Sequence, residues 1–106
     1  MTGPNSVFNQ TQFQVAPSSF GFLSKGQTSL NVEALTYGIL SNVGAVTITE
    51  FKRGQPGQVI KVLGDGFTSI ANNSSIKTNT GALKLLLADS VYTFTCFGTY
   101  WVEDAL

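Results

Sequence analysis

Few side chains in this sequence can do chemistry. The acids are Glu33, Glu50, Asp65, Asp89, Glu103 and Asp104. Glycoside hydrolases use a pair of carboxylates flanking the scissile bond, but none of these six sits in a recognisable catalytic setting. Asp65 lies between two glycines, Asp89 precedes Ser90 at a strand start, and Glu103-Asp104 stands close to the C-terminus. Turn, edge or surface roles are expected of each. Histidine, the usual acid–base agent at neutral pH, is absent, and Cys96 is the only cysteine. A zinc or iron centre built from nitrogen and sulfur ligands is therefore excluded, and no metal or cofactor is expected. Cys96 lies between Thr95 and Phe97 and reads as a small buried hydrophobe. The chain is not expected to be an enzyme. A glycan hydrolase or lyase would need acids such as Glu33, Glu50 or Asp89 to converge between subunits.

The glycine-bearing loops do not read as phosphate cradles. Gly54-Gln55-Pro56-Gly57 and Gly64-Asp65-Gly66 are not followed by a helix whose N-terminal amides could hold an anion, and the lysine of a P-loop is missing. Lys25 and the Lys52-Arg53 pair read as loop charges facing solvent, with Lys52-Arg53 also able to meet Glu103 or Asp104 of a neighbouring subunit. Aromatic side chains are the remaining candidates. Trp101, Tyr100 and Tyr37 carry both an apolar face and a polar handle, the combination that stacks on the C–H side of a sugar while nearby Asn, Gln and Thr bond its hydroxyls. These three form the candidate ligand-binding set, although packing in the core or at an interface is the stronger expectation for Trp101. Asn9, Asn72 and Asn73 match the N-x-Ser/Thr pattern, which is frequent by chance in so hydroxyl-rich a chain.

Composition sets the context for these residues. The chain has 106 residues, six basic and six acidic, with no net charge. Nucleic acid is not an expected partner, because binding phosphate needs a basic face. Only 11% of residues are charged while 42% are hydrophobic, against about 25% charged in ordinary soluble domains. Charge normally keeps a small domain soluble. Either this is a β-domain with a neutral, hydroxyl-rich exterior, or it hides part of its surface in a symmetric oligomer. No run of eighteen apolar residues suggests a membrane span, and residues 1–6 do not read as a signal peptide.

The elements that would position these residues are strands. Alternation of apolar and polar residues marks Val7 to Val15, Ala45 to Phe51, Val59 to Leu63 and Tyr92 to Cys96. Phe20 to Leu23, Phe67 to Ile70, the Ile76 region, Ala82 to Leu87 and Tyr100 to Glu103 are further strand candidates. The best helical window, Leu30 to Leu40, offers one turn at Glu33-Ala34-Leu35 before Tyr37-Gly38 interrupts it. Gln55-Pro56-Gly57-Gln58 has the residues of a type II turn, and Gly98-Thr99 those of a II′ or I′ hairpin. No exact tandem repeat is visible. Residues 1–6 are expected to be a flexible segment and 7–106 a single β-domain, an antiparallel β-sandwich or β-prism, with Tyr92, Phe94 and Cys96 packed against Ile60 and Val62.

The second half resembles a known family. Val46-Thr47-Ile48 and Phe51 are followed by Gly54-Gln55-Pro56-Gly57-Gln58-Val59-Ile60-Lys61-Val62, then by Gly66-Phe67-Thr68-Ser69-Ile70, Asn73 and Ile76-Lys77. The series ends in Tyr92-Thr93-Phe94, Gly98-Thr99 and Tyr100-Trp101-Val102-Glu103. In order and spacing this resembles the C-terminal β-domain of bacteriophage tail spikes, tail fibres and related appendage proteins, often found after a β-helix shaft, over about residues 45–104. The resemblance implies an all-β homotrimer at the distal end of a spike or fibre, in the virion, synthesised in the host cytoplasm. Its partners would be its own copies, the rest of the appendage and, in some members, host-surface polysaccharide. It implies no catalytic residues and no membrane insertion. The alternatives left open are a monomeric carbohydrate-binding module and the inter-subunit glycan hydrolase or lyase.

Overall fold

The computed structural model describes residues 20–23 and 25–105, so the expected flexible segment 1–6 and strand Val7 to Val15 lie outside the described residues. The chain is all-β, with no helix among the described residues. In order, the strands are β1 (Phe20–Phe22), β2 (Ser29–Asn31), β3 (Tyr37–Ile39), β4 (Val46–Ile48), β5 (Glu50–Lys52) and β6 (Val59–Leu63). They continue as β7 (Thr68–Ile70), β8 (Ile76–Lys77), β9 (Lys84–Leu85), β10 (Val91–Cys96) and β11 (Trp101–Glu103).

The chain winds through three sheets. The first has the order β1-β3-β6-β10-β11-β8, the second is β2-β5, and the third is β4-β7-β9. One circuit runs β3, β4, β5 and returns to β6, which lies parallel to β3. Gly21, Gly38 and Val62 stack along the first sheet, Leu30 and Phe51 along the second, and Ile48 and Ile70 along the third. Of the eight ladders among the described residues, five are parallel. The all-β class therefore holds, but the expected antiparallel pairing gives way to a mixed one. Parallel neighbours need a long crossover. Here the other two sides of the coil supply it, in place of a helix.

Burial follows the period-2 pleat. In β6, Ile60 and Val62 are buried while Val59 and Lys61 are exposed. In β10, Phe94 and Cys96 are buried, with Tyr92 packed against the same core. The expected cluster of Tyr92, Phe94, Cys96, Ile60 and Val62 is present. The Glu33-Ala34-Leu35 window is a turn, not a helix. Asn31 Oδ1 accepts the Glu33 amide at 3.0 Å, and Ala34 takes a left-handed φ of 60°.

Side chains tie the corners between coils. Asn42 is buried, and its Oδ1 accepts from Gly26 N at 2.7 Å while its Nδ2 donates to Thr68 Oγ1 at 2.8 Å. The Asp65 carboxylate accepts from the amides of Asn42, Phe67 and Thr68 and from the Thr68 hydroxyl, all within 2.9 Å. Partial burial alone would raise the Asp65 pKa. The Phe67 amide, the Thr68 hydroxyl and the Thr68 and Asn42 amides outweigh that and hold it below the usual carboxylate value. Asn73 does similar work, accepting from the Ser75 and Ile76 amides and donating to Thr49 O. Gln55 to Gln58 forms the expected type II turn, with Gly57 at φ 86° and Gln58 N bonded to Gln55 O at 2.9 Å.

Beyond β8 the winding stops and the chain reverses. Strand β9 runs antiparallel to β7, β10 antiparallel to β6, and β11 antiparallel to β10 and parallel to β8. The last three strands thus cap the coils, covering ladder edges that a further coil would otherwise extend.

Candidate functional site

The cap carries the surface features best suited to recognition. Strands β10 and β11 are joined by Gly98-Thr99, with Phe97 N donating to Tyr100 O at 2.8 Å. Gly98 has φ 102° while Thr99 does not enter the left-handed region, as a II′ loop requires. The hairpin is anchored to the Gln55–Gln58 turn, because Gly57 N donates to Cys96 O at 2.7 Å and Cys96 N to Gln58 O at 2.8 Å. Gln58 in turn reaches across with Nε2 to Val32 O and Leu35 O.

This frame presents two rings to solvent. Phe97 is 60% exposed and Tyr100 is 37% exposed. They stack on each other with centroids 6.1 Å apart and planes 21° apart. The pair is an apolar plate with a phenol at one side, suited to the C–H face of a pyranose ring. Phe97 was not among the expected sugar contacts. Inward alternation at Phe94 and Cys96 already places residue 97 outward, and that parity was the available signal.

The other two members of the expected set are elsewhere. Trp101 is 3% exposed and lies in the core. Its ring meets Phe51 edge-on at 5.4 Å and 85°, and the indole sits so close over Gly54 that a Cβ there would collide with it. Trp101 pairs with Cys96, and both point inward. It shows no face to a ligand, which corrects its assignment as a sugar platform. Tyr37 is half-buried on β3, across from Lys61. It lines a shallow groove of about 240 Å³ with Gly38, Ile39, Lys61, Leu63 and Val91, on the outer face of the first sheet. The structure does not bring Tyr37, Tyr100 and Trp101 together as one platform.

A second, polar cleft of about 210 Å³ lies at the end of the cap, lined by Asn79, Lys84, Tyr92, Thr93, Glu103 and Asp104 among others. Lys84 Nζ lies 2.8 Å from Glu103 Oε2 and 2.6 Å from Asn79 Oδ1. Glu103 Oε1 accepts the Asn79 amide at 2.9 Å, and the ammonium stands 5.4 Å from the Tyr92 ring centroid. Both charges are largely withdrawn from water, and each has a hydrogen-bonded partner besides the other. Such a pair fixes the end of the chain against β9. It leaves no carboxylate oxygen of Glu103 without a donor for proton transfer. The turn, edge or surface role expected of Glu103 thus gives way to a buried one. Within the chain Glu103 pairs with Lys84, and Arg53 lies 3.8 Å from Glu33.

The remaining acids do not assemble within the chain. Glu50 accepts from Ser29 Oγ at 2.8 Å on the second sheet, Glu33 faces Arg53, and Asp89 occupies a left-handed turn position beside Gly64. No group of three or more Cys, Asp and Glu side chains suited to a metal ion gathers among the described residues. Asn72 and Asn73 spend their side-chain amides on backbone carbonyls, Nδ2 of Asn72 on Gly81 O and Nδ2 of Asn73 on Thr49 O. Compared with protein-family models, with curated proteins and with solved structures, the chain matches none.

Proposed function

We propose that this chain is a structural and recognition module of a bacteriophage tail spike or fibre. It would act at the distal end, by self-association as a homotrimer and by contact with host-surface polysaccharide, without catalysis. The observation that carries the reading is the winding itself. Parallel strands stacked on three sides and ended by an antiparallel cap make a unit suited to terminating a β-helical shaft, as the resemblance over residues 45–104 implies. Low charge supports the same reading, since the protomer carries few charged side chains to shield its apolar surface.

The unfolding midpoint as a function of protein concentration tests this reading. A trimer gives a midpoint that rises with protomer concentration. A midpoint independent of concentration supports the second reading, a monomeric carbohydrate-binding module, which the exposed Phe97–Tyr100 plate favours. In either case binding to a bacterial-polysaccharide array is expected to be lost in Tyr100→Ala and retained in Tyr37→Phe. Binding that survives Tyr100→Ala shows that the plate is not the sugar contact.

A further inference from the structure

The polar cleft of about 210 Å³ at the end of the cap holds one cationic side chain in a fixed position. Lys84 Nζ donates to Glu103 Oε2 at 2.8 Å and to Asn79 Oδ1 at 2.6 Å, and it stands 5.4 Å from the centroid of the Tyr92 ring. The Tyr92 ring is pinned in turn, its hydroxyl accepting from Leu87 N at 2.9 Å. The Glu103 side chain is 3% exposed and that of Lys84 is 17% exposed, so the ammonium is the member of the pair that solvent in the cleft reaches. An ammonium has three donors. Two are committed here, which leaves the third for an occupant. The exposed Asp104 also lines the cleft, and its Oδ1 takes only the Thr95 hydroxyl at 3.5 Å. Among the described residues, no hydrogen bond reaches Asp104 Oδ2 or the hydroxyl of Thr93, another lining residue.

We propose that this cleft binds one neutral pyranose ring, at a site separate from the Phe97–Tyr100 plate. The chemistry of the lining selects the ligand. A donor-only ammonium and an acceptor-only carboxylate share one cleft, and a sugar hydroxyl serves both, accepting from Lys84 and donating to Asp104. An anion is disfavoured, because Glu103 already neutralises Lys84 and Asp104 adds a further negative charge to the lining. A cation would face the Lys84 ammonium. An amino-acid zwitterion would set its carboxylate against the Lys84–Glu103 pair, where no unbalanced positive charge remains. Val91 and Ala105 offer apolar surface to the C–H groups of a ring. Volume limits the occupant to a single ring, since clefts that take drug-sized ligands run to roughly 300–1,000 Å³. Because Glu103, Asn79 and Tyr92 already order the Lys84 side chain, binding costs little further side-chain entropy. The proposal goes beyond the polysaccharide reading above and stands whether or not the plate binds sugar.

The test titrates the full chain with the methyl glycosides of glucose, galactose and mannose, read by the backbone amide resonances of Asn79, Thr93 and Asp104. At least one glycoside is expected to shift these resonances saturably in wild type. Asp104→Ala, at an exposed position, is expected to weaken binding about tenfold or more, as loss of a hydrogen bond to a charged group does. Lys84→Met/Glu103→Leu is expected to do the same, with the fold of each variant checked by circular dichroism. Asp104→Ala alone decides should the double variant lose its fold. Tyr100→Ala is expected to leave the shifts unchanged. No shift with any of the glycosides overturns the site. Tighter binding of glucuronate or glycine than of the glycosides overturns the neutral-ring assignment. Unchanged affinity in Asp104→Ala overturns the hydrogen-bonding scheme. Shifts lost in Tyr100→Ala but kept in Asp104→Ala belong to the plate, and overturn the cleft site while leaving the polysaccharide reading intact.

Discussion

The coils and the cap are built from the same strand-forming residues, yet they are held together differently. In the coils, stacked neighbours are far apart in sequence, Gly38 to Val62 being 24 residues and Ile48 to Ile70 being 22. Their interior is mainly aliphatic, and their corners are tied by Asn42, Asp65 and Asn73 bonding to backbone amides or carbonyls. In the cap, β10 and β11 are joined by a two-residue loop. Its interior is aromatic, with Phe94 and Trp101 both packed against Phe51 at 5.3 and 5.4 Å. One ion pair, Lys84–Glu103, holds its far end. The difference follows from what each region must do. A coil presents the same parallel edge to the next coil, so it needs repeating polar ties at the corners. A cap must end that repetition, so it reverses direction and fills the end of the stack with large rings.

The largest effect is expected from removing the aromatic filling of the cap. Trp101→Ala leaves a cavity beside Phe51 and is expected to cost about 4 kcal/mol of stability, as aromatic truncations in cores do. Chemical denaturation followed by circular dichroism measures it. A loss below about 1 kcal/mol would mean that the cap is not locked by its rings. The ion pair comes next. Glu103→Ala strands the Lys84 ammonium in a largely buried position and is expected to cost about 3 kcal/mol. The double variant Lys84→Met/Glu103→Leu removes both charges and is expected to fall within about 1 kcal/mol of wild type. If the double variant is as damaged as the single one, packing and not charge compensation holds that end.

A smaller effect is expected at the coil corners. Asp65→Ala removes an acceptor of four hydrogen bonds at one corner and is expected to cost about 2 kcal/mol. Because the folded pKa of Asp65 lies below its ordinary value of 3.8, its contribution is present above that pH. It is lost as the pH falls through the folded pKa. Urea denaturation between pH 6 and pH 2 should show wild-type stability declining more steeply than that of Asp65→Asn, which lacks the titrating group. Equal acid slopes in the two proteins would remove Asp65 as a charged tie.

Strand-forming segments and core faces were legible because alternation is a local property. Val59 to Leu63 and Tyr92 to Cys96 showed which side chains point inward, and the Pro56-Gly57 and Gly98-Thr99 turns carried their backbone geometry in their residue types. Parallel pairing was not legible. The stacked positions are filled by Gly21, Gly38 and Val62 on one side and by Leu30 and Phe51 on another. Burial selects such positions for size and polarity, not identity, so no tandem repeat shows. Uneven steps of 17 residues from Gly21 to Gly38 and 24 from Gly38 to Val62 blur the period further. Strand parity alone separates the exposed Tyr100, stacked beside Phe97, from the buried Trp101. The Lys84–Glu103 pair, 19 residues apart, depends on β9 and β11 meeting at the cap, which no local pattern announces.

Molar mass in solution by light scattering, at micromolar concentration and physiological salt, tests the proposed self-association. Three copies of an 11.3 kDa chain give a mass of about 34 kDa, the value that trimeric assembly predicts. A stable mass of about 11 kDa across the concentration range would contradict it, leaving Leu83, Leu85 and Leu87 as exposed apolar side chains of a monomer.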